Sequence, residues 1–390
     1  MSVKPYIFLG LVYFFVNTVG LAFGLTWMTL FTPVFYFWIL LKRRREVLLP
    51  FFAMLLPFVV VHLVSSHLET DAYLVSLVNL TLVYVFCQAF YTFLRDEGKL
   101  EIVLKRILSI NFFLCLLAIP IYFTSASDLM WMEQSITAGI GNFRRLKMFT
   151  YEPSYYALLF MPVFFYFFIG YFSGRERTPG WILVPMLALP LILSFSLGVL
   201  AAAFFAIVMT ALFRFSRNIK RRRVFNAIVY SSVGLVTIAF ILIFFFRDNP
   251  LFVRIGNILA GEDTSGKGRT MDAFILADRI IAGGYETWGI GLGQIKTMGY
   301  DVIRSYYLYY TDHPVAIPNA VAETLTIFGW VGVAMRFMIQ LLFFFLTRPW
   351  RNDYRLVLFL FIFVYQFTGS YLTNVAEYVI WILAFTGRKR

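Results

Sequence analysis

Charge is scarce in this chain. Only 14% of its residues are Asp, Glu, Lys or Arg, against 60% hydrophobic and 20% aromatic, where a soluble globular chain carries about 25% charged residues. So few charges cannot cover so much apolar surface, which excludes a soluble enzyme and a disordered chain. Cysteine is as sparse. Cys87 and Cys115 both lie inside apolar runs, where thiols act as packing residues rather than as a disulfide framework. There is no C-x-x-C and no H-E-x-x-H, and the three histidines are His62, His67 and His313. Metal-ligand spacing is therefore missing, and no cofactor is expected. No A-x-A-like cleavage site follows the first apolar run, so that run is expected to be a retained helix and not a signal peptide. No clear internal repeat relates the two halves, and 390 residues leave no room for a separate soluble domain.

What is abundant is phenylalanine and tyrosine, 46 and 23 residues, in recurring blocks. A membrane-crossing helix needs about 20 apolar residues. Apolar runs between polar breaks place such segments near 6–24, 25–41, 47–64, 72–94, 107–124, 154–172, 181–195, 197–213, 224–246, 319–346, 356–371 and 373–387. The expected fold is an all-α polytopic membrane protein of about 12 transmembrane helices, one integral membrane domain over 1–390.

Net charge is +13, and its placement is informative. With the N-terminus inside, Lys4, Lys42 to Arg45, Arg95, Lys99, Lys105, Arg106, Arg175, Arg177, Arg214, Arg217, Lys220 to Arg223, Arg348, Arg351, Arg355 and Arg388 to Arg390 all fall on the inner side. These are most of the 34 basic residues. Positive charge is retained on the cytoplasmic side of membrane proteins, and the opposite orientation breaks that rule at nearly every connection. Both termini are therefore expected to be cytoplasmic. The run Arg217 to Arg223 reads as an anchor against anionic lipid and not as a nucleic-acid patch.

Two outer segments are long, 125–153 and 247–318. Loops beyond about 15 residues are usually functional or disordered. The larger one holds Trp288, the tyrosines Tyr306, Tyr307, Tyr309 and Tyr310, and an amphipathic stretch from Arg269 to Ile281 in which Met271, Phe274, Ile275 and Ala277 to Ile281 fall on one apolar face. Short helices packed at the outer mouth of the bundle are expected.

Topology does not account for basic residues on the outer side, so they are candidates for chemistry: Arg144, Arg145, Lys147, Arg254, Arg269, Arg279 and Arg304. A guanidinium never loses its charge and offers a planar fork to phosphate oxygens; its bland alternative is a solvated or salt-bridged loop residue. Glu152 precedes Pro153 at the start of an aromatic span. It suits a helix cap, where the dipole favours an anion, and equally a base near the membrane surface. Asp272, Asp312 and His313 are further candidates for orienting or deprotonating a hydroxyl, and Tyr306 for stacking on a sugar ring, although tyrosine also lines membrane interfaces routinely. His62 and His67 flank the outer end of the third span and are expected to be interfacial. Glu323 and Glu377 begin outer ends of spans, and intramembrane carboxylates usually have partners. Arg336 lies deep in the tenth span and is expected to snorkel or pair. Gly289 to Gly293 suggests a close-approach turn. Gly261 to Gly268 nearly matches a phosphate-binding P-loop but has Gly268 where Ser or Thr should bind the metal, and no strand before it. Glu69 and Asp71 form an acidic pair typical of a solvated turn.

Four segments together resemble the O-antigen polymerase (Wzy-type) and O-antigen ligase superfamily of bacterial membrane glycosyltransferases. They are Arg145 through Glu152, Pro153 and Ser154, with Met148 where glycine is usual; Ser194 to Gly198, similar to Ser-x-Ser-x-Gly at a helix junction; Arg269 through Gly289 to Gly293; and Asn319 to Glu323 with Gly329 and Gly332. The resemblance covers about residues 140–335. Ligases typically carry histidine directly before that asparagine, where this chain has Pro318, which favours polymerase over ligase. The resemblance implies a GT-C-like fold with a large helical outer loop, in the bacterial inner membrane. It implies a metal-independent transfer of a glycan from undecaprenyl diphosphate to a sugar hydroxyl of a lipid-linked repeat unit. Arg145 and Arg269 would hold the diphosphate, Glu152 would serve as acid–base group, and Arg144, Arg279, Arg304, His313, Asp272 and Tyr306 would line the substrate. Undecaprenyl-diphosphate-linked oligosaccharides, membrane lipid and a chain-length-regulating membrane protein are the implied partners; nucleic acid is not one. The alternatives are a ligase and a flippase or transporter of lipid-linked sugars. A transporter would show polar residues midway through several spans, and the sequence offers essentially Arg336 alone.

Overall fold

A computed structural model describes residues 4–18, 27–43, 48–65, 68–95, 99–134, 143–215, 264–307 and 316–386. The expected ninth span at 224–246, the basic run 217–223, Arg254, His67, Tyr309, Tyr310, Asp312 and His313 lie outside the described residues.

The described residues are mostly helical, 78%. The helices are α1 (Lys4–Leu11, running on as a π-helix over Val12–Val16), α2 (Trp27–Arg43), α3 (Leu48–Val64), α4 (Thr70–Arg95), α5 (Lys99–Ile121), α6 (Pro153–Phe172), α7 (Gly180–Ser194), α8 (Leu197–Phe215), α9 (Thr264–Arg269), α10 (Met271–Ile281), α11 (Tyr300–Tyr307), α12 (Ala320–Thr347), α13 (Asp353–Tyr365) and α14 (Val375–Phe385). Among the described residues, five stretches are long and apolar enough to cross a membrane: Thr70–Leu94, Leu100–Ile121, Pro153–Phe172, Leu197–Arg214 and Ala320–Arg351. Proline sits inside α2, α3, α5, α6 and α7, a placement that apolar membrane helices tolerate better than soluble ones.

Several boundaries differ from expectation, each for a physical reason. The helix expected at 107–124 begins at Lys99. The charges of its first two turns are absorbed locally, as Lys105 pairs with Glu101 at 2.9 Å in the i,i+4 arrangement a helix favours. The spans expected at 356–371 and 373–387 are the shorter helices α13 and α14. The connection between them, 366–374, carries Gln366, Ser370 and Asn374, all buried. The chain is not purely α-helical either. Within the segment 125–153, β1 (Trp131–Gln134) and β2 (Phe143–Leu146) form an antiparallel hairpin, with Met132 opposite Arg145 and Glu133 opposite Arg144.

The chain divides into two compact units. The first comprises Met1–Leu21, Glu97–Gly266 and Pro349–Ile362. Its centre is α6, of which 67% is enclosed, including Tyr155, Tyr156, Phe160, Phe165 and Phe167. The hairpin is seated by Trp131, whose indole N–H donates to the Ala118 carbonyl at 2.8 Å. Tyr156 donates to Asn111 Oδ1 at 2.9 Å and lies 3.3 Å from Cys115 Sγ. Both cysteines are buried and free, as expected of packing residues.

The second unit comprises Ala22–Asp96, Lys267–Arg348 and Phe363–Arg390. Here α10 lays Ala273, Leu276, Ala277, Ile280 and Ile281 into the core. Met271 and Ile275, expected on that face, are instead 68% and 38% exposed, because the buried stripe runs through Ala273, Leu276, Ala277, Ile280 and Ile281 at 3–4-residue spacing. The long helix α12 is broken at Gly329 (φ 64°, ψ −166°). The loop before Gln294 lies against the break. Ile290 and Gly291 N–H donate to the Thr326 and Ile327 carbonyls at 2.9 and 3.0 Å, while Trp330 and Val331 N–H donate to Glu286 and Thr287 carbonyls at 2.9 and 3.1 Å. The backbone groups freed by the break are thus rejoined across the loop.

Gly329 is required twice over. Its φ is left-handed, and a Cβ there would overlap the Thr287 carbonyl. Gly329→Ala is expected to cost roughly 2 kcal/mol or more, read as a lowered unfolding temperature in detergent. Gly198→Ala, with open space around its Cβ in a helix, should be neutral or mildly stabilising. Equal effects from the two substitutions would contradict this account.

Candidate functional site

The described residues singled out by sequence lie partly in the first unit and partly in the second. In the first unit the Met130 carbonyl accepts the N–H groups of Lys147 and Met148 at 2.9 and 3.0 Å. This ties the end of β2 down and turns the chain toward α6. Met148 makes the turn in the left-handed region, φ 53°, the position at which the resembling family usually has glycine. Arg145 is buried, and its Nε donates to the Ser194 carbonyl at 2.9 Å. That carbonyl belongs to the junction of α7 and α8, where Phe195 is also left-handed, φ 46°. Arg144 is half-buried. It donates to Ser127 Oγ at 2.9 Å, pairs with Glu133 at 3.5 Å and lies over the Tyr122 ring at 5.7 Å.

Glu152 stands at the N-cap of α6, with Pro153 at the first helical position, as the sequence suggested. Its side chain caps no backbone N–H. It instead accepts the Ser154 hydroxyl at 2.5 Å, while Thr150 Oγ1 donates to the Glu152 carbonyl at 2.8 Å. The carboxylate is therefore engaged with its own helix turn.

In the second unit the link is Asn319, fully buried at the N-cap of α12. Its Oδ1 accepts Val321 and Ala322 N–H at 3.1 and 2.9 Å. Its Nδ2 donates to the carbonyls of Arg269 and Phe367 at 2.9 and 2.7 Å. All the hydrogen-bonding capacity of this amide is used, and it fixes the backbone at Arg269. One turn away, Asp272 accepts the Tyr306 hydroxyl at 2.9 Å, and Arg279 covers the Tyr306 ring at 5.1 Å. The bond to Asp272 is the main reason that the Tyr306 hydroxyl sits above the usual tyrosine range. Asp272, Arg279 and Tyr306 are thus one cluster. Arg304 belongs to another, over Tyr300 on α11 at 5.7 Å.

Sequence reasoning missed the most polar region of this unit. Arg336 reaches back across the break in α12 to Thr324 Oγ1 at 3.3 Å, donates to Gln366 Oε1 at 2.9 Å and pairs with Glu377. Gln340 bonds Gln366 at 2.9 Å, Ser370 donates to Glu377 Oε2 at 2.6 Å, and Trp381 donates to Glu377 Oε1 at 3.3 Å. Arg336 pairs rather than snorkels. The signal was present as two glutamines inside apolar runs, Gln340 and Gln366. His62 is buried in the protein, with Nε2 at 2.9 Å from the Trp288 carbonyl and Nδ1 at 3.4 Å from the Tyr73 hydroxyl. A carbonyl only accepts, so Nε2 carries the proton and Nδ1 accepts from Tyr73. Gly289, Gly291 and Gly293 all have positive φ, 75°, 98° and 78°, as a close-approach turn requires. Glu69 and Asp71 are exposed at the start of α4, and no group of His, Cys, Asp or Glu among the described residues is arranged to hold a metal.

No family model matches the chain, and no curated protein matches its sequence.

The buried pair gives a stability test. Removing one partner of a buried ion pair leaves a charge unsolvated and costs about 3–5 kcal/mol, whereas replacing both by apolar residues is often neutral. Arg336→Met and Glu377→Met are each expected to lower the unfolding temperature in detergent sharply, and the double substitution to regain more than half of the loss. Strictly additive losses would mean that the two side chains are not coupled.

Proposed function

We propose that this protein is a bacterial polysaccharide polymerase of the O-antigen or exopolysaccharide type, a metal-independent glycosyltransferase of the inner membrane. It crosses the membrane about 12 times in a GT-C-like arrangement, with both termini cytoplasmic and the segments 125–153 and 247–318 on the outer side. A glycan on undecaprenyl diphosphate is the donor. A sugar hydroxyl of a lipid-linked repeat unit attacks the donor's anomeric carbon, and release of the diphosphate lipid drives the transfer without ATP. A chain-length-regulating membrane protein would govern how often the cycle repeats.

The observation that carries this reading is the local pairing of the four resembling segments. Arg145 is held on the Ser194 carbonyl of the α7–α8 junction, and Met148 is left-handed where the resembling family has glycine. In the other unit, Asn319 holds the Arg269 carbonyl, and the Gly289–Gly293 turn lies against the Gly329 break. Each segment therefore has a structural reason for its unusual residues. Arg145 and Arg269 are assigned to charge on the departing diphosphate, because donors fixed before reaction stabilise developing charge without reorganisation.

A second reading, a transporter of lipid-linked sugars, is favoured by one finding. The buried network of Arg336, Gln340, Gln366 and Glu377 is the kind of intramembrane polar cluster that such proteins use.

Purified protein supplied with lipid-linked repeat units should convert them to a ladder of longer glycans. Arg269→Ala and Arg145→Ala should each reduce the rate about a hundredfold or more, in the range of a lost preorganised donor, with normal amounts of protein in the membrane. A wild-type protein that makes no ladder, or needs a second, different acceptor, would overturn the polymerase assignment. Transbilayer movement of the lipid without polymerisation would favour the transporter.

A further inference from the structure

The proposed transfer needs a base for the acceptor hydroxyl, and the carboxylates of the second unit differ sharply in what they have left to offer. Glu377 is fully enclosed and has both oxygens occupied, Oε1 by Arg336 and Trp381 and Oε2 by Ser370. Asp272 accepts from Tyr306 within a neutralised cluster that includes Arg279. Glu286 is spent on the Gly283 N–H at 3.2 Å and is solvated. In the first unit, Glu152 accepts from Ser154.

Glu323 is different. It lies in the first turn of α12, four residues after Asn319, and so on the same face of the helix. Asn319 on that face holds the Arg269 carbonyl and the Phe367 carbonyl. Glu323 Oε2 accepts the Leu372 N–H from the connection that follows Phe367. Its Oε1 has no hydrogen-bond donor among the described residues, and the side chain is half-buried. One oxygen is therefore anchored and the other available, on the helix turn that also fixes the segment of Arg269. Charged and titratable groups acting on it come from three directions: Arg336 on α12 itself, Glu377 and Tyr378 on α14, and Lys296 in the turn after Gly293.

We propose that Glu323 is the catalytic base of the transfer, a role that rests on the polymerase reading above. Its carboxylate takes the proton of the acceptor hydroxyl as that oxygen bonds to the donor's anomeric carbon. The bond from that carbon to the diphosphate oxygen breaks, the electron pair leaves with the diphosphate, and protonated Glu323 then returns its proton to water. Anchoring by a backbone N–H aims the second oxygen without needing a further side chain.

Glu323→Gln is the decisive variant, since an amide oxygen keeps the Leu372 hydrogen bond while losing basicity. With lipid-linked repeat units isolated from the source strain as substrate, it should lower the turnover rate at least a hundredfold with KM little changed. The wild-type rate should rise with pH along an acid limb, and that limb should be absent from the residual activity of the variant. Glu323→Asp, which keeps a carboxylate on a shorter stem, should recover part of the rate, and membrane protein levels should match wild type for both. A Glu323→Gln protein with an intact ladder and the same acid limb overturns the assignment, as does loss of that limb in Asp272→Asn and not in Glu323→Gln. If Glu323→Gln failed to accumulate, the Glu323→Asp profile would decide: an acid limb unmoved from wild type overturns it, and a displaced one supports it. A wild-type protein without polymerising activity would instead defeat the polymerase reading, so the two failures are told apart.

Discussion

The break in α12 imposes the constraint that the second unit is built to meet. A helix of this length and hydropathy satisfies its own backbone, and a non-helical residue inside it exposes N–H and C=O groups that hydrocarbon cannot solvate. Gly329 creates such a gap, and the turn over Glu286 to Gly291 closes it with four backbone hydrogen bonds. That requirement propagates outward. The turn needs glycine at 289, 291 and 293, because its φ values are positive and because a Cβ at Gly289 would meet the backbone of Ile327 and Phe328. It also needs its own support. His62 supplies part of it at the Trp288 carbonyl, and Gln294 supplies more by bonding both the N–H and the carbonyl of Glu69, at 3.0 and 3.1 Å. Residues far apart in sequence are therefore recruited by one backbone defect.

Charge obeys a related economy. Where basic residues fall in connections, lipid and water can serve them, and their sign reports sidedness more than chemistry. Inside helices water and headgroups are less accessible, and two helix arginines have carboxylate partners in the protein. Arg336 is matched by Glu377 and two amide or hydroxyl acceptors, and Arg214 in the first unit by Asp353. Arg145 is buried, and its Nε donates to the Ser194 carbonyl.

Much of the helical framework was legible in the sequence, and the reason is physical. A membrane-crossing helix is defined by an unbroken run of apolar residues, so α4, α6, α8 and α12 announce themselves. Helix ends were less legible. At Lys99 the charges of the first turns are paired within the helix, so a polar stretch that looks like a connection is helical. Between α13 and α14 the reverse holds: Gln366, Ser370 and Asn374 sit in an otherwise apolar stretch that reads as continuous, yet each is buried in a non-helical connection. The hairpin was invisible because four-residue strands leave too short a pattern to separate period two from period 3.6. At the site level, the turn at Gly289 to Gly293 was legible from its glycines, while Arg145, Arg269 and Glu152 were singled out from their types and order. The partners of Arg336 and the burial of His62 depend on contacts across long separations that no local pattern carries.

Several residues of unusual backbone conformation lie beside candidate functional residues. Met148 and Phe195 are left-handed non-glycine residues, and they flank the contact between Arg145 and Ser194. Gly289, Gly291, Gly293 and Gly329 are left-handed and surround the turn that meets α12. Ser370, also left-handed, bonds Glu377 in the connection that receives Glu323. Left-handed backbone at a residue with a side chain is costly, and it persists only where the surroundings over-determine it. Part of this is ordinary helix termination, since Phe195 is the left-handed C-cap of α7. The rest comes from turns such as Gly289 to Gly293 that meet other backbone closely, and in both cases irregular backbone fixes where neighbouring polar side chains stand.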